Sequence, residues 1–121
     1  MTSSFETRVD GISTSLAVKA PCLVATTANI TLSGTQTIDD VAVVADNRVL
    51  VKDQTDGTEN GIYIAAAGAW TRAGDMDGAR DVTKGTLIRV AGGTAGVGIW
   101  ECTTSGTITI DTTSIAFGQV V

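Results

Sequence analysis

At 121 residues the chain has the length of one domain. Its hydrophobic fraction of 43% is enough for one modest core, but aromatics make up only 4%, so that core must be mostly Val, Ile, Leu and Ala. A net charge of −5 without clustered Lys or Arg argues against a nucleic-acid partner, no apolar run reaches the roughly 18 residues of a membrane-spanning helix, and a His count of 0 removes the commonest general base.

The first residues lack the basic and apolar regions of a signal peptide, so synthesis in the cytoplasm is expected. Within residues 1–20, Phe5, Val9, Ile12 and Leu16 recur at spacings of four, three and four, one stripe of a helix. Ser3 and Glu6 form a capping-box pattern, whereas Gly11 interrupts the stripe. The segment reads as a short helix, as an extended arm that orders on a partner, or as a frayed terminus. In the first two cases Phe5, Val9, Ile12 and Leu16 are the candidate partner-binding residues, and a domain boundary falls between the arm, 1–20, and a β-domain, 21–121.

Pro21 closes the arm, and from Cys22 onward the pattern is β. Residues 22–27 are apolar and β-branched; residues 29–33 alternate, with Ile30 and Leu32 on one face, and end at Gly34. Residues 35–41 are a short extended piece or turn, and Asp46-Asn47 is a turn pair that tolerates left-handed backbone. Residues 48–52 form a strand with Val49 and Val51 facing one way and Leu50 the other. The loop 53–61 contains Asp-Gly and Asn-Gly, strong turn signals, and reads as an exposed polar tip. Strands at 62–65 and 69–73 return. A second unit repeats the plan: strand 86–90, glycine-rich tip 92–98, strand 99–102, an alternating stretch 107–110 and a final strand 115–121. The expected fold is all-β, a small antiparallel β-sandwich or barrel of hairpins with a short N-terminal arm or helix.

Few motifs suggest chemistry. Asp75 and Asp77 before Gly78 resemble the start of a calcium loop, but Arg80 intrudes and no Glu closes the loop, so a solvated turn is the favoured reading. The glycine-rich tip has no Lys and precedes a strand, unlike a phosphate cradle, which opens a helix; it reads as a flexible tip. Trp70 and Trp100 read as core anchors, with an exposed aromatic ligand site as the rival. Cys22 and Cys102 read as free thiols, one at least partly buried, with a disulfide formed after release from the cell as the alternative.

Five stretches taken together resemble one family: 24–34 (Val-Ala-Thr-Thr-Ala-Asn-Ile-Thr-Leu-Ser-Gly), 37–39 (Thr-Ile-Asp), 48–55 (Arg-Val-Leu-Val-Lys-Asp-Gln-Thr), 59–63 (Glu-Asn-Gly-Ile-Tyr) and 68–73 (Gly-Ala-Trp-Thr-Arg-Ala). They are similar to modules of bacteriophage tail fibres and other small structural proteins of tailed-phage virions. The family commonly has Gly at the turn where this chain has Asp46-Asn47. The resemblance implies a non-enzymatic virion protein, commonly a homotrimer, that contacts other virion proteins and carries no cofactor, catalytic residue or metal site. A capsid decoration (cement) protein is the expected role. A short tail-fibre, collar or tail-tip component is the alternative, and a carbohydrate-binding module is a third possibility from another class.

Overall fold

The structure is a computed structural model that describes residues 18–78 and 81–120. Among the described residues nine short strands follow one another: β1 (Val24–Ala25), β2 (Gln36–Ile38), β3 (Val41–Val43), β4 (Arg48–Val51), β5 (Gly61–Ile64), β6 (Thr71–Arg72), β7 (Leu87–Val90), β8 (Gly98–Cys102) and β9 (Phe117–Gln119). Two 3-10 turns, Gly57–Glu59 and Gly74–Met76, are the helical elements among the described residues. The fold is all-β.

The two sequence units are two three-stranded antiparallel meanders, β4-β5-β6 and β7-β8-β9. Their hairpins close alike. Val51 pairs with Gly61 and Val90 with Gly98, and both glycines take positive φ, 148° and 136°. Side chains other than Gly rarely adopt that backbone, which explains why each return strand starts Gly-Ile-aromatic.

The segment 18–26 runs between the meanders and is parallel to both. Val18 and Cys22 bridge Leu87 and Val90, while β1 pairs with β4. Lys19 N donates to Leu87 O and Cys22 N to Arg89 O on one side; Leu23 N donates to Arg48 O and Thr26 N to Leu50 O on the other. These parallel contacts depart from the antiparallel expectation. Val18 and Lys19, at the end of the segment read from sequence as the arm, thus touch β7 at Leu87.

Alternation of side chains along β4 splits the interior in two. Leu50 enters an inner core with Ile62, Met76, Ile88, Val90 and Ile115, to which both meanders contribute. Val49 and Val51 enter an outer core with Val24, Ile38, Val43, Tyr63 and Trp70. The opposed facing of Val49 and Val51 against Leu50 agrees with the sequence pattern. Cys22 and Cys102 are both free and fully buried.

Three expected strands differ. Residues 29–32 do not pair as a strand, although Ile30 and Leu32 do pack against the outer core. The Gln54 side chain takes the place of a neighbouring strand: Ile30 N donates to Gln54 Oε1, and Gln54 Nε2 donates to Ile30 O. Residues 107–110 bury Ile108 and part of Ile110, but the chain turns at once, with Thr112 N and Thr113 N both donating to Thr109 O. The last strand is Phe117–Gln119, because Ile115 instead plugs the inner core and its N–H donates to Gly57 O. A hairpin not foreseen, β2-β3, turns through Asp39 and Asp40 at φ 47° and 71°. At the neighbouring turn Asp46, not Asn47, is left-handed, at φ 74°, while Asn47 Oδ1 accepts from Val44 N.

Candidate functional site

Polar side chains converge at three places. The largest is the loop between β4 and β5. Asp56 caps its 3-10 turn by accepting from Thr58 N and Thr58 Oγ1, and these bonds hold the Asp56 carboxyl below its ordinary pKa. Buried Asn60 accepts from Gln54 N and donates to Ile115 O. Gln54 Nε2 also donates to Glu59 Oε1, and Tyr63 Oη donates to Glu59 O at 2.6 Å. Arg72 donates to Asn60 O and Thr58 O, lies 5.0 Å over the Tyr63 ring and pairs with Asp111 at 2.9 Å. The loop expected as an exposed tip is thus the joint that ties both meanders and the 103–116 connection together.

The second place is the glycine-rich loop between β7 and β8. Its amides converge on one carboxylate. Thr94 N and Gly96 N donate to Asp39 Oδ2 at 2.9 and 2.8 Å, and Ala95 N donates to both oxygens at 3.0 Å. The Ala95 and Gly96 bonds hold the Asp39 carboxyl below its ordinary pKa, with Lys52 adding a smaller pull. The loop expected to be a flexible tip is therefore pinned by the turn of β2-β3. Its amides form an anion-binding concavity whose occupant is a side chain of the same molecule. A Cβ on Gly92 would approach Leu23 O to 2.9 Å, and one on Gly93 would collide with Asp39 Oδ2, so bare backbone is needed there. Sequence showed the glycines but not their anion, which lies 55 to 57 residues away.

The third place surrounds Arg48. Its Nη2 donates to Asp75 Oδ2 at 2.6 Å and its Nε to Ala20 O. Burial pushes the Asp75 carboxyl up, but the bond and charge of Arg48, with Lys19, outweigh it and leave the pKa low. Burial lowers the pKa of Lys19, against the pull of Asp75 and Asp81. Arg48 also faces Cys22, whose thiol burial pushes up to about 12; burial raises Cys102 as well. Both thiols are thereby kept from the reactive thiolate form.

The sequence candidates fall as follows. Phe5, Val9, Ile12 and Leu16 lie outside the described residues, as do Ala79 and Arg80 of the acidic turn. In that turn Asp75 binds Arg48, while Asp81 Oδ2 accepts from Asp77 N and Gly78 N, the arrangement of a solvated turn. Trp70 is 6% exposed and its Nε1 donates to Gly34 O. Trp100 is half-buried against the inner core, with Lys52 Nζ 4.2 Å from its ring centroid and Nε1 donating to Gly96 O. A shallow open groove of about 270 Å³ follows β2-β3, lined by Thr35, Gln36, Thr37, Ala42, Val43 and Val44. Comparison with protein families, curated proteins and solved structures finds no match to this chain.

Proposed function

We propose that this chain is a non-enzymatic structural protein of a tailed-phage virion: a small capsid decoration protein that binds the shell as a homotrimer. The observation that supports this reading most is where the resemblance residues lie. Stretches 48–55, 59–63 and 68–73 form β4-β5-β6 together with the bonds of Gln54, Asn60, Tyr63 and Arg72. These resemblance residues thus serve architecture, as a module repeated among virion components requires. The acidic net charge of −5 and the Thr-rich surface are compatible with a protein held against a shell in many copies.

The test is localisation. Particles of the phage that encodes the chain are imaged by electron cryomicroscopy, and the same preparation is labelled with antibody against the recombinant protein. The expected result is density on the capsid surface with threefold local symmetry, and light scattering of the free protein at three times the 12.3 kDa chain mass. Label confined to the tail identifies the short fibre, collar or tail-tip role instead. Particles without the protein, combined with retention on purified bacterial surface glycans, overturn the virion reading in favour of carbohydrate binding.

A further inference from the structure

In β4-β5-β6 both faces of the sheet enter a core. In β7-β8-β9 one face does: Ile88, Val90 and Cys102 belong to the inner core, and Trp100 and Phe117 pack against it. Alternation puts Leu87, Arg89, Ile99 and Glu101 on the opposite face. Leu87 stands opposite Glu101 and Arg89 opposite Ile99, so the two apolar residues occupy one diagonal of a patch and the two charges the other. The bridge from Val18 to Leu87 and the bond from Val120 N to Ile99 O carry apolar surface to both edges of the patch. There Val18 is 51% exposed and Val120 49%. Leu87 and Ile99 are half-buried, yet belong to neither core. Diagonal neighbours on an antiparallel pair lie about 7–8 Å apart, within reach of long side chains. Even so, Arg89 and Glu101 form no ion pair among the described residues.

We propose that this face is the contact between copies of the chain in the homotrimer, with Arg89 of each copy beside Glu101 of the next. An apolar patch rimmed by polar groups marks a site of association, and identical subunits usually associate about a closed rotation axis. The pattern of the patch selects the axis. An axis along the strands sets Arg89 against Ile99 and Leu87 against Glu101, and an axis across them sets Arg89 against Leu87 and Glu101 against Ile99. An axis along the charged diagonal brings like charges together. An axis along the apolar diagonal gathers Leu87 and Ile99 of every copy and pairs Arg89 with Glu101 between neighbours. Opposite charges that meet across an interface fix its register and suppress wrong partners. Because the patch carries one charge on each side of its apolar diagonal, it complements itself, and no foreign protein is needed to supply the counter-charge. The inference rests on the homotrimer of the proposed function, and not on where in a virion that trimer sits.

The test follows the mass of the full chain by light scattering over a dilution series. Arg89→Glu and Glu101→Arg should each raise the concentration at which the trimer dissociates by about tenfold or more, because like charges then face each other across the contact. The chain carrying both reversals should return to the wild-type value. A second measurement reads the geometry directly. Chains with Arg89→Cys and chains with Glu101→Cys are co-expressed and then oxidised. Cys22 and Cys102 are fully buried, so the added thiols are the ones that react. A disulfide-linked pair holding one chain of each kind should form, and neither variant alone should link. A wild-type chain that stays monomeric at every concentration overturns the homotrimer, and this contact with it. A wild-type trimer that ignores both reversals, or yields no mixed pair, overturns the contact alone, since the face is then covered by other residues of the same chain or by a foreign partner. A loss that the double reversal leaves unrepaired overturns the pairing of Arg89 with Glu101.

Discussion

Asn60 shows how much one buried amide can hold. Its oxygen accepts from Gln54 N and its nitrogen donates to Ile115 O, joining the β4-β5 loop to a residue 55 positions away. Asn60→Ala strands a buried donor and a buried acceptor, each worth about 1–3 kcal/mol. A urea titration should show a clearly lower midpoint for this variant, and an unchanged midpoint would mean that water replaces the amide without loss. The two tryptophans make a paired comparison at the same scale. Trp70→Ala removes a buried ring from the outer core and should cost about 3–5 kcal/mol. Trp100 is half-buried under Lys52, so Trp100→Ala should cost less. Equal losses in thermal melts would contradict the difference in burial.

The β2-β3 hairpin is held by the glycine-rich loop rather than by its own turn chemistry. A two-residue turn with both φ values positive ordinarily calls for Asn-Gly; here Asp39 and Asp40 occupy it at φ 47° and 71°. The amides of Thr94, Ala95 and Gly96 secure this backbone by binding the Asp39 carboxylate. Those bonds place the folded pKa of Asp39 below its ordinary 3.8. A depressed carboxyl contributes stability above its unfolded pKa and loses it as pH falls through the folded value. The stability gap between wild type and Asp39→Asn should therefore be full at neutral pH and shrink in strong acid. Asp56 and Asp75 are also depressed and titrate in both proteins, so the gap isolates Asp39. A gap independent of pH would assign the loss to shape rather than charge.

Across the whole molecule, β4 couples the two cores, since Leu50 lies in one and Val49 and Val51 in the other. Damage to either core should therefore lower one common transition. Leu50→Ala removes inner-core volume and should cost about 2–5 kcal/mol. Single-tryptophan variants, Trp70→Phe and Trp100→Phe, then report on opposite sides of the sheet. Their fluorescence midpoints should coincide in the presence of Leu50→Ala, as a two-state domain requires. Separate midpoints would show that the outer core melts independently.

Local chemistry was enough to determine part of this molecule. Period-two alternation set the opposed faces of Leu50 and Val49, and the Gly-Ile-aromatic starts marked β5 and β8, because these features depend on neighbours within a few residues. The same logic put Ile30 and Leu32 on one face, and both pack against the outer core although no strand pairs with them there. Tertiary structure decided what those faces met. Gln54 serves the backbone of Ile30, Asp39 fills the amide concavity, Asn60 ties Ile115, and the segment 18–26 runs parallel to two meanders. Each of these is a hydrogen bond or a pairing between residues distant in sequence. Side-chain type announces the capacity for such a bond, and only the folded geometry selects its partner.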